Sequence, residues 1–132
     1  MTSVEHQKML NSLATTLESQ GITITHIDIA GMPEHFDEKY VNLPKPKERD
    51  GYTPDLEGMK GVLRHLGEVK TSIKGDCDID AQLRAFTGRV MNGKDIPLHI
   101  AVPKDLKKEL EKKLYKMRLY EKCKKGTVKI WA

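Results

Sequence analysis

Asp55, in the dipeptide Pro54-Asp55, stands thirteen positions before Glu68, and Glu68-Val69-Lys70 falls at the end of a strand-like run from Val62 to Thr71. Residues two apart in a strand project to one face, so Glu68 and Lys70 point together while Val69 points the other way, into a core. A hairpin between the two segments sets Asp55 on the strand next to Glu68. Two carboxylates so placed can hold a hard divalent cation such as Mg²⁺ (or Mn²⁺), with the Val69 main-chain carbonyl as a further ligand. Such a cation acidifies a bound water and polarises a phosphoryl oxygen, while Lys70 brings a compact positive charge to the transition state. The chemistry this equipment suits is hydrolysis of a phosphodiester.

Acid-x-Lys recurs at Asp37-Glu38-Lys39, Asp105-Leu106-Lys107 and Glu111-Lys112-Lys113. The first falls in a polar loop and the others on a helix, where residues two apart diverge by about 200°. Only Glu68-Val69-Lys70 ends a strand.

The elements that must position these groups follow from periodicity. Leu10, Leu13, Ala14 and Leu17 have helical spacing, with Ser3 as N-cap and Gly21 as stop. Ile22 to Ala30 reads as a strand whose alternation changes phase between Ile24 and Ile27, which implies a bulge or a strand covered on both faces. From Gly31 to Gly51 the chain is polar, carries Pro33, Pro44 and Pro46, and reads as a long loop. Tyr52 to Met59 and Val62 to Thr71 form strands joined at Lys60-Gly61. A helix capped by Asp78 or Asp80 follows, with Ile79, Leu83, Phe86 and Val90 on one face and its end near Asn92-Gly93. Ile96 to Val102 is a strand. A last helix starts near Asp105 with Leu106, Leu110, Leu114 and Met117 on one stripe, and Val128 to Trp131 adds a short edge strand. The order gives a single α/β (α+β) domain over residues 1–132, one mixed sheet flanked by helices.

Charge is local. Residues 104–125 carry ten Lys or Arg against four Asp or Glu, +6 in a chain of net charge +4. A cationic face suits a polyanion, and a solvated lysine-rich helix is the plainer alternative. Candidates for sequence-independent phosphate contacts are Lys45, Lys47 and Arg49 in the loop, Arg84 and Arg89 on the middle helix, and Lys108, Lys112 and Lys116 on the last. Four Tyr, two Phe and one Trp are a thin aromatic supply, which disfavours binding by stacked bases. Asp76-Cys77-Asp78-Ile79-Asp80 alternates acids as calcium loops do, but Ala81 and Thr87 stand where Gly and Glu are required. The five histidines have no HxxxH spacing and no cysteine partners, which disfavours zinc. Cys77 and Cys123 lack CxxC spacing, no secretory signal opens the chain and no apolar run spans a bilayer; the expectation is a cytoplasmic protein with free thiols.

Pro54-Asp55, Gly67-Glu68-Val69-Lys70-Thr71, Gln82-Leu83-Arg84-Ala85-Phe86 and the strand ending Val102-Pro103 together resemble the PD-(D/E)xK nuclease superfamily, which includes restriction enzymes, RecB-type nucleases and Holliday-junction resolvases. The resemblance runs from the opening helix to Pro103. It implies a restriction-endonuclease-like αβββαβ core, a DNA substrate, divalent-metal dependence, Asp55 and Glu68 as metal ligands, Lys70 as the catalytic lysine, and Gln82 as the glutamine facing the site in the RecB-like branch. One departure stands out: Leu10 holds the position where many members carry a first-helix glutamate. Glu5 or His6 is the replacement to consider, with an N-terminal capping role as the alternative for Glu5. A junction- or break-processing homodimer is attractive for so short a chain, because cutting two strands needs two sites. The rivals are a nuclease-like fold that binds nucleic acid without cutting, and an oligomeric scaffold that uses its lysine-rich helix as an interface.

Overall fold

The opening amphipathic helix, α1 (Val4–Ser19), begins where Ser3 Oγ accepts the His6 amide at 3.0 Å, and ends at Gln20-Gly21, Gly21 having φ +86°. The computed structural model describes residues 3–73, 78–87, 90–91 and 93–132. The buried face of α1 is Leu10, Leu13, Ala14 and Leu17, the stripe its spacing predicts, extended by Gln7.

Five strands form one mixed sheet: β1 (Thr23–Ile27), β2 (Leu56–Lys60), β3 (Leu63–Val69), β6 (Leu98–Ala101) and β7 (Val128–Trp131), in the spatial order β1-β2-β3-β6-β7. β1, β2 and β3 are antiparallel neighbours, whereas β3, β6 and β7 run parallel. The β1 register shifts between Ile24 and His26, where the apolar alternation changes phase. Alternation along β3 and β6 divides the core in two. Leu66, Leu98 and Ile100 pack with Ile79, Leu83 and Phe86 of α3 (Asp78–Thr87) and Leu110 and Leu114 of α4 (Lys107–Lys116). Val69 and Ala101 face α1, Phe36 and Tyr40. Gly67 lets α1 approach the sheet: a Cβ there would lie 3.3 Å from Leu13 and closer still to Leu56.

Three elements differ from the sequence expectation. The segment from Gly31 to Gly51 is anchored rather than a plain loop: a 3₁₀ turn at Pro33–His35 leads into the short α2 (Glu38–Val41), whose buried Tyr40 hydrogen-bonds Glu18 on α1. It ends in a tight turn, Arg49 and Tyr52 exchanging both backbone bonds across Asp50-Gly51, whose φ values of +52° and +84° are those of the turn type Asp-Gly favours. The middle helix stops at Thr87, and Val90 belongs to a two-residue ribbon, β4 (Val90–Met91) with β5 (Lys94–Asp95). The last helix breaks in two, α4 and α5 (Tyr120–Lys124). At the break, Arg118 adopts φ +61°, its amide bonds Tyr115 O and the Leu119 amide bonds Leu114 O, the Schellman pairing with arginine in the usual glycine position. The turn through Gly75, the Asp76-Cys77 part of the acidic run, Arg89 and Asn92 lie outside the described residues. Among those described, no helix is long and apolar enough to cross a membrane.

Candidate active site

The hairpin register builds the carboxylate pair. Leu56 pairs with Gly67, so Asp55, one residue before β2, stands across from Glu68. The Asp55 amide donates to Gly67 O at 3.0 Å and its carbonyl accepts from the Asp28 amide at 2.9 Å, so the residue is held as a continuation of the sheet. Its Oδ2 accepts the Val69 amide at 2.8 Å.

Glu68 is 5% exposed, and its Oε2 is buried without a hydrogen-bond partner. Lys70 Nζ lies 3.9 Å from Glu68 Oε1 and donates to Gln82 Oε1 on α3. Gln82 owes its place to its neighbours: Ile79, Leu83 and Phe86 are buried against the sheet and leave Gln82 at the rim, above the end of β3.

α1 supplies the fourth wall. His6 Nε2 is 3.1 Å from Asp55 Oδ2 and its Nδ1 2.7 Å from Gln7 Oε1. Gln7 Nε2 donates to Asp28 O at 3.0 Å, and a carbonyl only accepts, so Gln7 presents its oxygen to His6. Both ring nitrogens of His6 therefore face acceptors, and the imidazolium form satisfies both. Burial disfavours that charge, but the Asp55 hydrogen bond and negative charge outweigh it and raise the His6 pKa above its ordinary value. Glu5 is exposed. Of the two first-helix candidates, His6 reaches Asp55. Gln7, fully buried, was not among the sequence candidates; a polar residue one turn before Leu10 on the apolar stripe is the signal that could have found it.

The two carboxyls titrate in opposite directions. Burial pushes Glu68 up, and the neighbouring Asp55 charge and hydrogen bond push it further, well above the usual glutamate value. Burial also works against ionised Asp55, but hydrogen bonds from His6, Glu68 and the Val69 amide together with the His6 charge hold its pKa below the usual range. One carboxylate is thus fixed as an anion beside one that its surroundings resist ionising. Divergent pKa values in one buried cluster mark a candidate functional site.

The donor set suits a hard cation. Mg²⁺ takes one or two carboxylates and completes its shell with water and substrate phosphate, and a buried, unpartnered Glu68 oxygen beside Asp55 is what such an ion would satisfy. Among the described residues no group of three or more His, Cys, Asp or Glu side chains is arranged to hold a metal.

The basic candidates divide. Lys45 is exposed, 3.9 Å from Asp28 Oδ1, and Lys47, Arg84, Lys108, Lys112 and Lys116 are exposed as well. Arg49 is turned inward: its guanidinium hydrogen-bonds the buried Glu57 carboxylate, with Nε at 3.1 Å, and is not presented to a phosphate. No family model, no curated protein and no solved structure matches the chain.

Proposed function

We propose that this chain is a Mg²⁺- or Mn²⁺-dependent nuclease of the PD-(D/E)xK type, with a restriction-endonuclease-like αβββαβ core, that hydrolyses DNA phosphodiesters. The observation that carries the reading is the buried Glu68 Oε2 without a partner, set beside Asp55 and on the face that presents Lys70. The helix, antiparallel β1-β2-β3 and parallel β3-β6 order supports the same fold assignment.

Asp55 and Glu68 would hold the metal, which when bound supplies an acidified water and charge neutralisation at a phosphoryl oxygen. The chain's own residues do the rest. The Val69 amide and His6 Nε2–H fix Asp55 Oδ2, so the carboxylate needs no reorientation on loading. Gln82 holds the Lys70 ammonium at the rim, where its charge meets the negative charge that grows in the transition state. A non-cutting, DNA-binding reading draws on one feature, the His6 imidazole that already pairs with Asp55 where a first-helix acid would add a ligand.

The test is incubation of single-stranded, duplex, flapped and four-way DNA with Mg²⁺, Mn²⁺ or EDTA, comparing wild type with Lys70→Ala. Metal-dependent cutting abolished by the substitution is the expected result. Binding with no cutting of any substrate overturns the catalytic assignment in favour of the binding module.

A further inference from the structure

α4, α5 and the edge strand β7 enclose an open groove of about 700 Å³ on the side of the molecule where the basic charge is concentrated. Lys107, Lys112, Lys124, Lys125 and Lys129 line it, all exposed, against the single acid Glu111. Lys113 and Lys122, which do not line it, are held in ion pairs with Asp80 and Asp95.

Three of the seven aromatic residues also line this groove: Tyr115, Tyr120 and Trp131. Tyr115 and Tyr120 are 68% and 51% exposed, with ring centroids 5.8 Å apart, and Lys124 Nζ sits 5.9 Å from the Tyr120 ring. The helix break at Arg118 creates the pair, because it turns Tyr120 back toward Tyr115 instead of carrying it onward along one helix. The same two tyrosines wall a second hollow that adds Lys116, Arg118 and Glu121, so they form an aromatic ridge between the lysine-lined groove and a smaller hollow of mixed charge.

Lysines alone would suit any polyanion. Exposed rings among them select one whose repeating units carry flat faces, and a duplex buries those faces in its own stack. We infer that this groove binds a single-stranded nucleic-acid segment, its phosphates on the lysines and unpaired bases on Tyr115 and Tyr120. The thin aromatic supply of the whole sequence argued against stacking; folding concentrates it at one place. The groove lies along the edge strand of the sheet whose interior strand carries Glu68 and Lys70. Lys70 N donates to Ala101 O at 2.9 Å and Val102 N to Trp131 O at 3.0 Å, which ties the ends of β3, β6 and β7 side by side. The Trp131 backbone is therefore two strand spacings, about 10 Å, from the strand that carries Lys70, with its side chain on the face that Val69 and Ala101 share. As a statement about the substrate of that site the inference rests on the nuclease reading; as a statement about binding it stands on the groove.

The experiment is fluorescence anisotropy in EDTA, so that no cutting occurs, with labelled 20-nucleotide DNA and RNA single strands, a DNA duplex of equal length and an abasic DNA strand with the same phosphates. Wild type is expected to prefer both base-bearing single strands over the duplex and abasic strands; a preference between DNA and RNA identifies the natural source. Tyr115→Ala with Tyr120→Ala is expected to weaken single-strand binding about tenfold and leave abasic binding unchanged, and the Tyr→Phe pair to restore it. Both rings are exposed, so folding is checked simply by melting. Equal affinity for abasic and base-bearing strands, or for polyglutamate, overturns the inference, as does a tyrosine pair whose removal changes nothing. Failure of the nuclease reading appears separately, as absent cleavage in Mg²⁺ with this binding pattern intact.

Discussion

β3 carries two buried polar clusters, and they are built in opposite ways. Toward its start, His65 Nδ1 meets His99 Nε2 at 2.9 Å, and Trp131 Nε1 meets His99 Nδ1 at 3.0 Å, a row across β3, β6 and β7 with stacked rings. An indole N–H only donates, so His99 Nδ1 accepts, its Nε2 carries the proton and His65 Nδ1 accepts in turn. Burial, reinforced by the positive charges of His65 and Lys129, pushes His99 down to about 3, and the row is neutral at physiological pH. At the far end of the strand Glu68 lacks a partner for one oxygen and lies beside a second carboxyl. A polar cluster whose hydrogen bonds are complete stiffens a sheet. One left incomplete holds a group whose hydrogen bonding the chain does not satisfy, which is the feature the proposed metal site would use.

Substitutions at the two ends should separate chemistry from stability. Asp55→Ala is expected to lower metal-dependent cleavage at least ~100-fold, the scale for loss of a preorganised charged group, while the folded protein still binds single strands through the β7 groove. Nuclease assays beside anisotropy check this, and retention of more than a tenth of the activity would join the two ends into one structural class. The opposite pattern is expected of His99→Ala. It leaves the Trp131 donor and the His65 acceptor unsatisfied around a cavity, costing about 3 kcal/mol by urea denaturation. Cleavage per folded molecule should be unchanged, since His99, although it pairs with Gly67, projects from the face opposite Glu68 and Lys70.

How much of this was legible follows from what each feature depends on. The α1 stripe, the β2-β3 hairpin and the Asp55–Glu68–Lys70 meeting depend on period and register, which residue types and spacing carry directly. The β1 irregularity was visible as a phase change for the same reason. The break between α4 and α5 was hidden because Arg118, not glycine, occupies the left-handed position, and no side-chain chemistry announces it. Val90 joined a helical face on spacing alone, yet it pairs with Asp95 in a ribbon that only tertiary context specifies. The Asp50-Gly51 turn carries its own signal in the Asp-Gly pair, at the end of a segment whose prolines otherwise read as loop. Arg49 counted as a surface cation because its partner, Glu57, is buried by a strand pairing that composition cannot show. Gln7 and the His99 row depend on which atoms face each other across elements distant in the chain.

Acid should weaken the finished cluster. His99 titrates near 6.5 when unfolded and at about 3 when folded, so the unfolded chain binds the extra proton first. The contribution of the neutral row is complete above pH 6.5 and lost as pH falls from there toward 3, with a slope of up to about 1.4 kcal/mol per pH unit. Denaturation at pH 7, 5.5 and 4.5 should show that slope reduced in His99→Phe. An equal slope in both proteins would mean that other groups dominate.

The unfinished cluster has the reverse sign and the smallest effect. Glu68 has a folded pKa raised above its unfolded value, so its contribution is complete at low pH and lost as pH rises through the folded pKa. Glu68→Gln removes the charge that the site resists and keeps the shape. It is expected to add about 1 kcal/mol at neutral pH, as relief of an uncompensated buried charge does. Mg²⁺ should raise the melting temperature of wild type, by linkage to the folded state, and leave that of Glu68→Gln unmoved. A destabilised Glu68→Gln whose melting still responds to Mg²⁺ would make Glu68 a satisfied structural carboxylate. The contrast between the two ends of β3 would then fail at its weaker term, because the orphaned oxygen would have a partner in solution.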